Sequence, residues 1–548
     1  IDSLMPVKWN PYIKAGAESW NKAFEKIGFK DVICVKEFPK NDTLFNANSF
    51  DCMTIRYSAS WLNSAQTTIH SDTRTGEILN ASILINANMI SVQYADRIGA
   101  TVAIDPRVRT TVFPQEIQGE LIQAAIAQAV GTGLGLTMNW GASCAYPVDS
   151  LRSASFTQKY GLASSVMGGV IINDVATEED VRNGVCLVNT KPGPYDELVI
   201  KYLYQPIYAS SLQEEKETLD SWIREHTGDP YYAYIRNQSR FDSDPRNSRG
   251  SLGDDHLKSF DYMLPNVRKG FENYYSWFAK EDRDFLMRRR VHSALSERLS
   301  GRIYAILSYI GGIYLNDIRE KDAIPSYSMV DREKQKAALS KALELAKNLD
   351  WVDDTAHLNE FEISDKKADR LRLDIFNGIF GRLPYVEVCT ERFPDAAYTA
   401  SEYLDDIYGI VWEGVLKHRP LENFERALQT AFLENIISTS TATAPIGSFK
   451  ASKTGFAATG KPEINLAALR NGGKVDMKMY SLQNAEEVAG FSSIPPIYTN
   501  QTKIAAYYFD LLMRTKDMLK KAISTAPEAD RSHYDLLIYR INKATEIE

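Results

Sequence analysis

The sequence is poor in cysteine and histidine, with five and seven among 548 residues. The cysteines show no CxxC spacing, and this absence argues against a zinc ribbon and against a disulfide framework. None of the seven histidines lies between residues 71 and 225. A metal site in that long stretch would therefore have to use ligands other than imidazole.

The chain also lacks an excess of basic residues and lacks long apolar runs. Lys and Arg number 63 against 71 Asp and Glu, so the net charge is −8, whereas a nucleic-acid-binding surface is basic. No apolar run approaches the roughly 20 residues that cross a bilayer. We therefore predict no nucleic-acid partner and no transmembrane segment. The 44% hydrophobic content is typical of a globular protein with sizeable cores.

The first residues carry no targeting signal. The chain begins Ile1-Asp2-Ser3-Leu4, without an initiator Met, a charged region or an apolar signal segment. We expect the sequence to be an excised fragment or a processed product from which targeting information has been removed.

The first two hundred residues are predicted to mix helices and strands. An amphipathic helix is expected from Asn10, as N-cap, to a C-cap at Gly28, with Pro11 at its first helical position. A polar hairpin turn is expected at Asp72–Glu77. Short β-branched runs predict strands at Val32–Val35, Met53–Tyr57 and Ile83–Ile85.

A second helix is predicted to begin at Pro114 and to end near Gly135. One face of this helix carries residues at spacings of three and four. Glycine costs about 1 kcal/mol per helical position relative to Ala, so the glycines at its end favour termination there. The face residues are Ile117, Leu121, Ala125, Gln128 and Thr132, and the glycines are Gly131, Gly133 and Gly135.

Three interpretations compete for the end of this helix, residues 127–139. A phosphate-binding loop is disfavoured, because its glycines follow a strand and precede a helix. A buried helix with a glycine C-cap is the simplest structural explanation. The third is the metzincin motif HExxHxxGxxH, in which a helix carries two zinc-binding histidines and a Glu base, and a glycine turn leads to a third histidine.

Alignment to the metzincin motif retains the turning glycine but none of the zinc-binding histidines or the Glu base. With Gly135 at the turning glycine, the three histidine positions fall on Gln128, Thr132 and Met138, and the general-base position falls on Ala129. Gln128 and Thr132 are expected to be partly buried. They either bond each other or ordered water in the former metal pocket, or contact a bound ligand.

Nine further segments carry a resemblance to the large bacterial zinc-dependent metallopeptidases of metzincin type. The resemblance implies that Met167 is the Met-turn methionine beneath the metal and that Tyr195–Tyr204 closes the catalytic domain. It also implies a cell-envelope or secreted location, in the periplasm or anchored to the outer membrane. The segments are Trp20–Phe29, Asp72–Ile78, Asp105–Arg109, Gly119–Ile122, Val130–Leu136, Tyr146–Ser153, Ser165–Gly168, Gly193–Asp196 and Leu252–Asp255.

The resemblance predicts an α+β protein. A metzincin-like domain of a twisted mixed sheet plus helices is expected over residues 1–205, followed by a helical and loop linker over 206–282. Apolar periodicity then predicts a large, mostly α-helical C-terminal domain over 283–548. Ser438–Gly460, rich in Ser, Thr, Ala and Gly, is expected to be a long loop or a mobile insertion.

The substitutions lead to a functional hypothesis. An amide, a hydroxyl and a thioether are poor Zn²⁺ ligands, and Ala cannot act as a base. We therefore expect an inactive homologue of a zinc metallopeptidase that holds no zinc and binds an extended peptide or protein, or has a structural role in the envelope. The alternatives are an active zinc peptidase with non-standard ligands and a purely structural module of a longer protein.

Two further sets of residues are candidate metal ligands. His70 is predicted to be a solvated strand residue. An oxygen-rich stretch of aspartates next to His256 is interpreted as a solvated acidic loop, with a Ca²⁺ site as the alternative. These aspartates are Asp242, Asp244, Asp254 and Asp255.

Overall fold

The chain forms two compact units. The computed structural model describes all residues except 40, 42–44, 48, 51, 63–64, 236–242, 248–250, 320–321, 358–365, 441–500 and 546–548. The larger unit consists mainly of Ile1–Gln238, Asp242–Ile375 and Glu391–Tyr398, and the smaller mainly of Phe376–Thr390 and Thr399–Glu548. The three-part division expected from the sequence is not tested by this packing and stays a prediction.

The N-terminal helix is shorter than predicted and is broken. Helix α1 covers Asn10–Glu18 and α2 covers Asn21–Glu25. Asn10 is the first helical residue and not the N-cap, because a 3-10 turn at Val7–Trp9 leads directly into α1. The C-terminal glycine is where the sequence places it, since Gly28 has a left-handed φ of 90°.

A three-stranded sheet of order β1-β3-β2 follows: β1 is Ile55–Ser58, β2 is Ala65–Ser71 and β3 is Ile78–Asn86. β1 pairs with β3 in parallel and β2 pairs with β3 antiparallel. The predicted hairpin turn lies between β2 and β3 and is confirmed.

The predicted strand at Val32–Val35 is wrong. Its backbone donors bond to side chains instead of a neighbouring strand. The N–H of Ile33 donates to Asn21 Oδ1 at 2.8 Å, and that of Val35 donates to Glu18 Oε1 at 3.1 Å.

Helix α3, Ala87–Thr101, is absent from the sequence-based prediction. It begins at the residue after β3, so no turn signal marks its start. Helix α4, Gln115–Gly133, begins and ends within two residues of the predicted bounds. It packs against α1, α3 and the sheet, and apolar side chains of α1, α4 and β3 form a common core.

The rest of the larger unit is mostly helical. Its elements are α5 Ala154–Tyr160, α6 Glu178–Arg182, α7 Pro194–Tyr204, α8 Leu212–Arg224, α9 His256–Phe278, α10 Leu286–Leu307, β4 Ile313–Leu315, β5 Tyr327–Met329, α11 Arg332–Lys347 and most of α12 Lys367–Gly381. The antiparallel pair β4–β5 was not predicted.

The described part of the smaller unit is helical, which confirms an α+β chain with a helical C-terminal region. Trp412 packs edge-on against Phe432 in its core, with ring centroids 5.8 Å apart. The predicted loop at 438–460 lies outside the described residues except for its first three, which end the helix Asn423–Ser440. The helices are α13 Leu383–Arg392, α14 Ala400–Val411, α15 Glu413–Leu416, α16 Asn423–Ser440, α17 Gln501–Ala522 and α18 Glu528–Thr545.

Candidate active site

Helix α4 ends in a Schellman motif at the predicted turning glycine. Gly135 has a φ of 90°, a conformation that side-chain-bearing residues rarely adopt. Its N–H donates to Thr132 O at 2.9 Å, and the N–H of Leu136 donates to Gly131 O at 3.0 Å. These two bonds reverse the chain and carry it back toward the face of α4 that holds Gln128.

The turn brings two of the three positions that align with the motif's histidines into contact. Gln128 Nε2 donates a hydrogen bond to Met138 Sδ at 3.1 Å, and both side chains are half-buried. Thr132 Oγ1 donates to the backbone oxygen of Gln128 at 3.3 Å. The Thr132 hydroxyl therefore bonds within its own helix and not to the Gln128 amide.

Ala129, at the general-base position, faces the apolar core. Its side chain is buried in a cluster that includes Ile85 and Met89. Its backbone oxygen accepts a hydrogen bond from Thr67 Oγ1 of β2 at 3.0 Å. This bond fixes strand β2 directly against the site-bearing end of α4.

Met167 lies against α4 beside Gly131. It occupies the 3-10 turn Val166–Gly168 and is completely buried. A Cβ atom placed on Gly131 would lie 2.6 Å from Met167 Sδ and 2.5 Å from Trp20 Cζ2. The absence of a side chain at Gly131 thus allows the methionine and the indole to approach the helix.

We expect Gly131→Ala to destabilise the protein by about 1–3 kcal/mol, because the added methyl group overlaps Trp20 and Met167. Gly301→Ala is the matched control. A Cβ at that position in α10 meets nothing within 4 Å, so the helix preference for Ala should stabilise by up to about 1 kcal/mol. Urea denaturation of both variants measures the difference. Equal effects would contradict the close packing at Gly131.

A buried carboxyl group holds the Met167 turn, and its role was not identified from the sequence. Asp196 Oδ1 accepts from the Ser165 hydroxyl at 2.5 Å, and its Oδ2 accepts from the N–H groups of Val166 and Gly193 at 2.9 Å each. Burial raises the pKa of Asp196 to about 7, although these three donors act in the opposite direction. The carboxyl therefore joins the turn to the start of α7.

The raised pKa of Asp196 predicts a pH-dependent stability. The folded protein holds this proton up to about pH 7, whereas the unfolded chain releases it near pH 4, so stability falls as pH rises through this window. The contribution is at most about 4 kcal/mol. Asp196→Asn, which stays neutral, should flatten that part of the profile. Denaturation from pH 4 to 8 measures the free energy of unfolding of both proteins. Parallel pH profiles for the wild type and the variant would contradict the raised pKa of Asp196.

Other segments of the family-like pattern form structural contacts. Asp254 Oδ1 accepts from the N–H of Val148 at 3.1 Å, which joins Leu252–Asp255 to Tyr146–Ser153. Asp105 binds the completely buried Arg97, with Nη2–Oδ2 at 2.8 Å. The residues carrying the resemblance thus stabilise the scaffold around the site.

Helices α9 and α10 hold the loop that follows the Met167 turn. The buried Asp174 carboxylate accepts from Arg298 Nε at 2.6 Å and from Arg302 Nε at 2.9 Å. Asn266 Nδ2 of α9 donates to the backbone oxygens of Asp174 and Ala176, at 3.0 and 2.8 Å. The helical segments after residue 205 are therefore directly involved in positioning this loop.

The other candidate metal ligands are exposed to solvent or already paired with other groups. His70 is exposed on β2, as predicted. The interpretation of a solvated acidic loop is wrong for Asp244, which is fully buried and bound by Arg246 with Nη2–Oδ2 at 2.7 Å. Asp255 caps α9, and Asp242 lies outside the described residues. Among the residues that the structure describes, no cluster of three or more His, Cys, Asp or Glu side chains could hold a metal ion.

A family model described as Met-zincin matches residues 110–419, more than half of the chain. The chain belongs to the Met-zincin family. This match confirms the metzincin-type resemblance and a metallopeptidase-like domain. It begins just before α4 and includes the Met167 turn as well as helices as far as α15. No curated protein and no solved structure matches the chain significantly.

Within the described residues of this Met-zincin, every helix is too short or too polar to span a bilayer.

The donor atoms at the motif's three ligand positions in the Met-zincin do not fit Zn²⁺. The ion is bound by imidazole, thiolate or carboxylate, whereas Gln128, Thr132 and Met138 supply an amide, a hydroxyl and a thioether. We therefore derive no zinc-dependent step for this chain.

Proposed function

We propose that this Met-zincin is a non-catalytic member of its family, which holds no zinc and binds an extended polypeptide without hydrolysing it. The observation that carries the proposal is the direct contact between Gln128 Nε2 and Met138 Sδ at 3.1 Å. Two positions that would converge on a metal ion in the family's motif bond each other here.

The loss of the general base supports the same conclusion. Deleting a general base alone costs about 10²–10⁴ in rate. Ala129 lies in the apolar core, where a bound water would find no acceptor on its side chain. At the motif positions the chain therefore offers neither a group that would deprotonate water nor ligands that would lower the pKa of that water.

Strand β2 is the proposed place for the polypeptide. It lies at the end of the sheet order β1-β3-β2, and Thr67 fixes it against α4. Thr68 and His70 are exposed along it. Backbone hydrogen bonds to such an edge require no metal, so binding can persist after catalysis has been lost.

The cell-envelope location is part of the same proposal and rests on the family resemblance alone. The two alternative functions, a peptidase with unusual ligands and a purely structural module, have no specific support in the described contacts.

Metal content tests the first half of the proposal. We expect protein purified from zinc-supplemented medium, and then dialysed without chelator, to contain far less than one zinc ion per chain. We also expect it to leave unstructured casein intact. One tightly held zinc together with chelator-sensitive proteolysis would refute the proposal.

Hydrogen exchange tests the second half. A library of extended peptides is screened for binding by fluorescence anisotropy. Hydrogen exchange of the protein is then measured with and without the peptide that binds most tightly. We expect slower exchange at Ala65–Ser71 and unchanged exchange at the separate sheet β4–β5. Failure of every peptide to bind, or protection that omits β2, would contradict the placement.

A further inference from the structure

A short segment that begins in the 3-10 turn Pro230–Tyr232 lies along the turn that follows the third ligand position. We call Tyr231–Ile235 the strap. Asn139 Nδ2 donates to Ala233 O at 2.9 Å, and Asn139 Oδ1 accepts from the N–H of Ile235 at 3.2 Å. The N–H of Trp140 donates to Ile235 O at 3.1 Å. These three bonds all use the backbone of the strap, so any extended polypeptide could form them.

Two side chains give the strap its specificity. Ile235, 5% exposed, lies directly over Gly141, where an added Cβ would lie 2.2 Å from Ile235 Cγ1. Tyr234 lies parallel to Tyr195 with centroids 6.1 Å apart, and its hydroxyl is 3.3 Å from Thr137 Oγ1. The groove beside the turn therefore accepts an aromatic residue followed by a β-branched aliphatic residue.

The helix that leads into the strap is loosely held. None of the residues of α8 is buried. Its contacts include Lys201 Nζ over the Trp222 ring at 4.5 Å and an ion pair between Asp220 and Arg319 at 3.0 Å. Partly exposed pairs of this kind contribute little to stability. Release of α8 would thus expose little core surface. Release of the strap would uncover Ile235 and the face of Tyr146 against which Tyr231 packs, so an incoming ligand has to replace these contacts.

We propose that the groove along Asn139–Gly141 is a polypeptide-binding site that the strap occupies in the resting protein and can leave. The incoming ligand is an extended segment that presents an aromatic residue followed by Ile or Val. Exchange replaces the three bonds between the strap and Asn139–Trp140, while the N–H of Asn139 stays bonded to the backbone oxygen of Met167. The proposal does not depend on binding at β2.

A peptide with the sequence of residues 229–235, labelled with a fluorophore at its N-terminus, tests the exchange. Ile235→Asp should release the strap, so the peptide should bind this variant about tenfold or more tightly than the wild type, where the tethered strap competes at a high effective concentration. Adding Gly141→Ala should fill the groove and abolish the gain. Adding Gly301→Ala instead is the matched control and should retain it.

Equal binding of the peptide to wild type and to Ile235→Asp, or no binding to a folded Ile235→Asp variant, would overturn the proposal. If that variant does not fold, hydrogen exchange of the wild type decides. The amides of Trp140 and Ile235 should exchange through a smaller opening than those of α4. If the amides of Trp140 and Ile235 exchange hydrogen only at the rate of global unfolding, the proposal is overturned as well.

Discussion

A variant with Gln128→His, Thr132→His and Met138→His is expected to gain a zinc site. Positions 128 and 132 lie one helical turn apart on α4, and the Schellman turn already brings residue 138 into contact with residue 128. Three imidazoles at these positions would supply the ligand set of a catalytic zinc site. We expect one zinc per chain, held with a Kd of about 1 μM or tighter, equivalent to at least about 8 kcal/mol.

The matched control carries Asn at the same three positions, which gives polar side chains of similar reach without imidazole. Isothermal titration with Zn²⁺ and elemental analysis measure the gain. If the histidine variant folds and takes up no more zinc than the asparagine control, the prediction is contradicted, because the backbone at these positions then lacks the geometry of a metal site.

Asp174→Ala is expected to destabilise the larger unit strongly. The substitution leaves the guanidinium of Arg302, 2% exposed, buried without its carboxylate partner. Removing one partner from a buried ion pair costs about 3–5 kcal/mol, because the remaining charge stays desolvated. Chemical denaturation followed by tryptophan fluorescence measures the loss.

Asp149→Ala is the control for this variant. Asp149 pairs with Lys258 at 2.5 Å, but both side chains are solvent-exposed, so little change in stability is expected. Similar losses in the two variants would show that burial does not distinguish the pairs. A double variant, Asp174→Ala with Arg302→Met, should recover part of the stability, because it removes the unpaired charge.

Local backbone chemistry explains what the sequence alone could predict. Helix α4 and its end at Gly135 follow from side-chain spacing and from the left-handed preference of glycine. The turn at Asp72–Glu77 is predictable for the same reason. Helix α3 was missed because it follows β3 without an intervening loop.

Long-range contacts explain what the sequence could not predict. The β-branched run Val32–Val35 has strand propensity, but Asn21 and Glu18 take its backbone donors. Asp196 is 31 residues from Ser165, and no local pattern indicates that they meet. The contact between Gln128 and Met138 was not predicted, because residue spacing alone does not show how the chain reverses after the helix.

The grip of α9 and α10 on the loop at Asp174 bears on how the protein can be dissected. A recombinant fragment that stopped after α7 would keep both the turn at Met167 and the carboxylate of Asp174, yet lose the two guanidinium groups and the Asn266 amide that bind this loop. The shortest autonomously folding piece that contains Gln128, Met138 and the Met167 turn should therefore extend at least to Leu307, the last residue of α10.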